Sequence, residues 1–290
     1  MPVTRSTVGT GALWACGPDC RETDSYPLIM GILNVTPDSF SDGNQFLDPE
    51  IAIKQGKRLI TDGADLVDIG AESSNPDGVK ITAQEEIDRL TPVITALKKD
   101  GIQISVDTYK PEVMEQVISL GADMINDITG LKDPNSIEVI SKHDIPIVIM
   151  YARNEGPHAE RTVREYSSVM AELDMFFAER LDTLSRAGIP RERILLDPGM
   201  GLFLGGTPEP SLMVLRHIEE LKKYGCELYL SASRKSFIGA VLDRPLKERA
   251  IGTLAVEIWA WQHGVSYVRT HEPRLLRDAV RMMQAIEQIK

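Results

Sequence analysis

Apolar residues fall in short dense runs along this chain, and eight of them lack the alternation of a half-exposed strand. They are Leu28–Leu33, Asp65–Ile69, Gln103–Val106, Met124–Asn126, Ile147–Met150, Ile194–Leu196, Glu227–Leu230 and Ser266–Val268. Val, Ile and Leu at that density suit strands covered on both faces, as in a parallel sheet. Between them apolar residues recur at helical spacing, in Ile51–Ile60, Glu85–Leu97, Val113–Leu120, Met170–Leu184, Met213–Leu221 and Gly252–Trp261, with Leu276–Ile289 closing the chain. Gly63, Gly101, Gly121, Gly188, Gly225 and Gly264 each stand just before a strand, where helices commonly end on a left-handed residue. Eight alternations predict an α/β fold, a (β/α)8 TIM barrel, with a doubly wound open sheet as the alternative because periodicity does not report closure. No linker, repeat or low-complexity tract divides the chain. Residues 1–26 read as a short N-terminal extension and 27–290 as a single barrel domain.

Polar residues concentrate where the runs end. The first delivers Asn34 and then the loop Thr36–Gly43, and the second ends in Asp68 before GAESSNPDG. The third presents Asp107 in SVDTYKP, the fourth Asn126 and Asp127, and the fifth Met150-Tyr151-Ala152-Arg153. Asp197 opens DPGMG after the sixth, SASRKS with Lys235 follows the seventh, and Arg269-Thr270-His271 ends the eighth. In a barrel these C-terminal ends converge on one mouth. Taken singly each residue has a plain explanation: Asp107 or Asp127 as a helix cap, Asp197 as a turn former, His271 as a structural histidine. Taken together they are a costly design without a polar ligand. Asp107, Asn126 and Asp197 suit the edge of a flat, donor-rich heterocycle. Lys235, Arg269 and His271, with Asn34, form a separate cationic group suited to a diphosphate or another anion. Mg2+ bridging phosphate oxygens through an asparagine carbonyl and waters fits the same group.

Composition narrows the partners. The 290 residues are 42% apolar and 26% charged, with a net charge of −11. That balance argues against nucleic acid or an anionic membrane as the main partner. No apolar run reaches the length of a membrane span, and MPVTRSTVGTGALWACGPDC is not a secretory leader. Cys16, Cys20 and Cys226 are sparse and odd in number, and no His or Cys beside the first two completes a metal site. A cytoplasmic location is expected.

MGILNVTPDSFSDG, SVDTYKP, INDI, LLDPGMG, SRKSFIG and YVRTH, in this order, resemble dihydropteroate synthase of folate biosynthesis from about Leu28 to the C-terminus. The resemblance implies a barrel, a homodimer, and condensation of 6-hydroxymethyl-7,8-dihydropterin diphosphate with p-aminobenzoate, assisted by Mg2+. By position it implies pterin binding by Asp107, Asn126, Asp197 and Lys235. Asn34, Arg269 and His271 are then expected on diphosphate and its metal, with Asn34 as metal ligand, and Ser74 and Ser236 near p-aminobenzoate. Asn34, Asp107, Lys235, Arg269 and His271 are the expected catalytic set. The second loop departs from the usual GGESTRPG, with Ser74 and Asn75 for Thr and Arg, and Tyr151 replaces a histidine in the usual MHM. GMGLFLGGTPEPSL, GAESSNPDG and the ending THEPRLLRDA resemble the sulfonamide-resistant Sul-type enzymes, which implies that Phe203 reshapes the p-aminobenzoate pocket. A methyltetrahydrofolate-dependent methyltransferase and a non-catalytic pterin-binding paralogue are the rival readings.

Overall fold

The computed structural model describes residues 26–36, 49–154, 156–163 and 168–289. Eight strands, β1 (Leu28–Asn34), β2 (Leu66–Gly70), β3 (Ile104–Asp107), β4 (Met124–Asp127), β5 (Ile147–Met150), β6 (Ile194–Asp197), β7 (Glu227–Leu230) and β8 (Tyr267–Thr270), pair in parallel in chain order. β8 pairs with β1, so the sheet is a closed barrel and the open-sheet alternative is excluded. The helices that follow are α1 (Pro49–Thr61), α2 (Ala83–Lys99), α3 (Pro111–Ser119), α4 (Pro134–Ser141), α5 (Val169–Arg186), α6 (Glu209–Arg216), α7 (Ser236–Leu242), α8 (Ala250–Gln262) and α9 (Pro273–Glu287). None is long and apolar enough to cross a membrane.

Two apolar layers follow from strand alternation. Outward-facing residues such as Ile29, Ile69, Val106, Ile149 and Leu196 pack with the helices in the main core. Inward-facing Met30, Leu66, Met124, Val148, Leu195, Tyr229 and Tyr267 form a separate cluster that plugs the lumen. The mouth therefore opens above a dry floor.

Local chemistry explains the elements. α2 opens with a capping box in which Glu85 N donates to Thr82 Oγ1 at 3.2 Å and Thr82 N donates to Glu85 Oε2 at 2.8 Å. All six glycines expected to end helices have positive φ. Two short helices escape the helical periodicity: α4 begins at Asp133-Pro134, with Asn135 N donating to Asp133 Oδ1 at 2.8 Å, and α7 lies inside the SRKSFIG segment. The continuous helix expected over Met213–Leu221 is instead α6 followed by a 3-10 stretch, Ile218–Tyr224, with His217 between them. Most of the first loop, residues 37–43, lies outside the described residues, as do Cys16, Cys20 and nearly all of the expected extension 1–26.

Candidate active site

Strand register sets the first side of the site. Asn34 is the partner of Gly70, Gly70 of Asp107, and Asp107 of Asn126, so three polar tips stand side by side at one level. Gly70 brings no side chain into that row. Across the mouth, Met150 of β5 pairs with Asp197 of β6. A cavity of about 630 Å3 opens there, lined by Asn34, Asp107, Asn126, Asp197, Lys235, Arg269 and His271. Ser74, Ser236 and Phe203 line it too, so every candidate site residue reaches the same space.

Arg269 departs from expectation. Instead of standing in a separate cationic group, its Nε donates to Asp68 Oδ2 at 2.5 Å and its Nη2 to Asp107 Oδ2 at 3.1 Å. Asp68 also accepts from Asn126 Nδ2 at 3.3 Å, and that amide reaches Tyr229 Oη at 3.4 Å. The reason is charge. Two carboxylates buried together need a cation, and Arg269 is held between them. Asp68, fully buried in an apolar strand, was visible in the sequence but not assigned to the site. Its mid-strand position was the signal.

Lys235 hangs from a strained turn. Arg234 before it has φ +57, a left-handed conformation that is uncommon for an arginine. Three contacts hold it: Arg234 N donates to Thr253 Oγ1 at 3.0 Å, Arg249 Nη1 donates to Arg234 O at 3.1 Å, and Arg234 pairs with Glu272. Lys235 Nζ lies 4.9 Å from the centre of the Phe203 ring and donates weakly to Met200 O at 3.4 Å. The DPGMG loop comes this close because of its glycines. A Cβ on Gly201 would lie 3.1 Å from Ser236 Oγ, and one on Gly199 only 2.2 Å from Tyr151 O.

The electrostatics are those of a dry, crowded site. Desolvation raises Asp107 to about 7, opposed by Arg269 and reinforced by Asp68. Burial raises Asp197 to about 6 against the pull of Lys235. Burial also lowers Lys235 to about 8, and lowers His271 to about 3 with help from Arg269. His271 is thus neutral near pH 7. Ser233 Oγ accepts its backbone N–H at 3.1 Å and pairs with Nδ1 at 2.9 Å, which leaves Nε2 as the ring nitrogen available to a ligand. Arg269 is the firm cation, its guanidinium held charged by Asp68 and Asp107 despite burial.

Some neighbours prove structural. Asp127 faces outward and accepts from Thr129 N at 2.7 Å and Leu131 N at 3.0 Å, organising the turn after β4, while the cap of the next helix is Asp133. Asp197 keeps its turn as well, accepting from Gly199 N at 2.8 Å while it lines the cavity. Tyr151 points away from the lumen, and its hydroxyl donates to Glu172 Oε2 at 2.6 Å. The second loop is organised by a buried group that sequence reasoning missed. Lys110 donates to Glu72 Oε2 at 2.6 Å and also pairs with Glu86, while Tyr109 Oη donates to Glu72 Oε1 at 2.9 Å. The role of this lysine follows from tertiary packing against Glu72 and Glu86, far off in sequence. For a metal, the described residues contain no cluster of three or more His, Cys, Asp or Glu. Asn34, exposed at the rim of the cavity, offers one amide oxygen.

The family described as pterin binding enzyme matches residues 30–271. A dihydropteroate synthase type-3 of Escherichia coli is 43% identical over 259 residues, covering 89% of this chain and 98% of that protein. The Xanthomonas albilineans dihydropteroate synthase with 4-aminobenzoic acid has a TM-score of 0.83 at 35% identity, over 91% of this chain and 94% of the other. A Yersinia pestis dihydropteroate synthase in a sulfonamide drug complex has a TM-score of 0.82 at 34% identity, over 91% and 95% of the two chains.

Proposed function

The chain belongs to the dihydropteroate synthase family, transferases of folate biosynthesis, and on that premise we propose how its own residues perform the reaction. It joins 6-hydroxymethyl-7,8-dihydropterin diphosphate to p-aminobenzoate, yielding 7,8-dihydropteroate and diphosphate. Asp107, Asn126, Asp197 and Lys235 hold the pterin edge-on above the apolar floor. Arg269 and His271 face the diphosphate, and Ser74, Ser236 and Phe203 border p-aminobenzoate. The observation that carries this reading is the row Asn34–Gly70–Asp107–Asn126, with Asp197 and Arg269 closing the same cavity over a dry lumen.

The chemistry asks for charge stabilisation and alignment more than for a strong base. The bond from the exocyclic methylene carbon to oxygen breaks, and its electron pair leaves with diphosphate. The resonance-stabilised pterin cation is captured by the arylamine nitrogen, which then sheds a proton to solvent. Arg269 supplies permanent positive charge, and neutral His271 supplies a hydrogen bond. Asn34 would hold Mg2+ together with diphosphate oxygens and waters, a donor set that fits an ion seldom bound by protein alone. When bound, the ion neutralises charge on the leaving diphosphate.

Phe203 lies beside Met150 and Ala159 and under Lys235, which supports a role in narrowing the p-aminobenzoate end against bulkier sulfonamides. The working unit is a single barrel domain, 27–290, with 1–26 as an extension, in a cytoplasmic homodimer. Exposed Val241, Leu242, Leu246 and Ile251 support the dimer.

The test is an incubation of the purified chain with pterin diphosphate, p-aminobenzoate and Mg2+, quantifying both products. Equal amounts of 7,8-dihydropteroate and diphosphate are expected. Diphosphate release without arylamine incorporation, or no release at all, contradicts the assignment.

A further inference from the structure

The loop that carries Phe203 is tied from outside the cavity. Arg153, just past β5, donates its backbone N–H to Phe203 O at 2.9 Å and its Nη1 to Leu204 O at 3.1 Å. The same guanidinium grips Glu172 of α5 through two bonds, Nε to Oε2 and Nη2 to Oε1, each 2.8 Å. Its side chain is 4% exposed. Glu172 accepts in addition from Tyr151 Oη at 2.6 Å and is bonded by Ser168. Burial works against its charge, yet hydrogen bonds from Arg153, Ser168 and Tyr151 hold its carboxyl down at about 2, so the group stays ionised across the working pH range. The Tyr151 ring packs on Phe176 at 5.3 Å, fixing the hydroxyl. Its backbone N–H donates to Asp197 O at 2.9 Å. Tyr151, Arg153 and Glu172 all lie outside the cavity lining.

We infer that Tyr151, Glu172 and Arg153 form a strap that positions the Phe203–Leu204 segment, and so set the depth of the p-aminobenzoate pocket and its discrimination against sulfonamides. This rests on the reading of Phe203 as a wall of that pocket. Bidentate charge-assisted bonds fix direction as well as distance, so a guanidinium clamped at one end holds the backbone at the other. Small displacements of a positioning group carry large kinetic effects. The strap also gives the tyrosine of MYA a purpose: it orients the carboxylate that orients the arginine. Tyr151, Glu172 and Arg153 are positioning residues, none of them touching the reacting atoms.

The experiment compares Tyr151→Phe, Glu172→Gln and Phe203→Leu with the unaltered chain. KM for p-aminobenzoate, KM for pterin diphosphate, kcat, the sulfamethoxazole inhibition constant and the melting temperature are all measured. Loss of one charge-assisted bond predicts a rise of about 5- to 10-fold in KM for p-aminobenzoate in Glu172→Gln, with a smaller rise in Tyr151→Phe. KM for pterin diphosphate stays unchanged, and the ratio of the sulfonamide constant to KM for p-aminobenzoate shifts in the same direction as in Phe203→Leu. If Phe203→Leu moves that ratio while both strap variants keep the unaltered constants, or lose only melting temperature, the strap is overturned and the pocket reading stands. If Phe203→Leu leaves the ratio unmoved, the pocket reading fails and takes the strap with it.

Discussion

Lys235 and Asp197 face each other's charge in a site too dry for either to ionise at its ordinary pH. Asp197, raised to about 6, is anionic only above that value, whereas Lys235, lowered to about 8, is cationic only below it. Between the two, Asp197 and Lys235 are both charged, while Asp107, raised to about 7, titrates inside the same window. kcat/KM for pterin diphosphate reports the free enzyme, so its pH profile should be bell-shaped, with an acid limb set by Asp197 and Asp107 together and an alkaline limb near the Lys235 value. Lys235→Arg should move the alkaline limb upward, because a guanidinium stays charged. A flat profile from pH 5 to 9, or an alkaline limb unmoved by the arginine, contradicts the pairing. His271 contributes no limb in this range, since burial and neighbouring cations keep it neutral.

Among the elements, the β6–α6 connection is a tightly constrained piece of backbone. Gly199 has φ +69, and a Cβ there would stand 2.2 Å from Tyr151 O, a backbone atom that cannot swing aside. Gly199→Ala should therefore cost more than the roughly 1–2 kcal/mol of a left-handed residue alone. Thermal unfolding and the p-aminobenzoate KM measure it together, and a variant with unaltered melting and kinetics would contradict this account of the turn. The strand pattern was legible because apolar runs this dense have few other homes. The strand ends run on to the polar tips Asn34, Asp107, Asp127 and Asp197, which are themselves members of the ladder. α4 and α7 were not legible, being short and, for α7, overlaid by a site motif. The site residues with side chains in the lumen were readable from their place after each run. Asp68 was marked by its place inside an apolar run though its partner Arg269 was not, and Lys110 and Glu72 were not readable because each depends on the other, far off in sequence. Tyr151 was readable as a departure but not as part of a strap with Arg153, since Glu172 lies on a different element.

At the scale of the whole molecule, a chain of net charge −11 builds a local pocket where Arg269 and Lys235 stand against the lumenal carboxylates Asp68, Asp107 and Asp197. The closed sheet makes this possible. Register brings β1, β3 and β4 tips to one level, the apolar plug below removes water, and the loops after β5, β6 and β7 wall the far side. On the proposed reading, the polar ring above this plug holds the pterin. Titration calorimetry of pterin diphosphate with the unaltered chain and with Lys235→Ala and Asp197→Asn measures it most directly. The account predicts tight binding by the first and a loss of roughly 10- to 100-fold in each variant, the weight of one charge-assisted contact in a buried site. Equal affinity in all three proteins, or none in the unaltered chain, would contradict it.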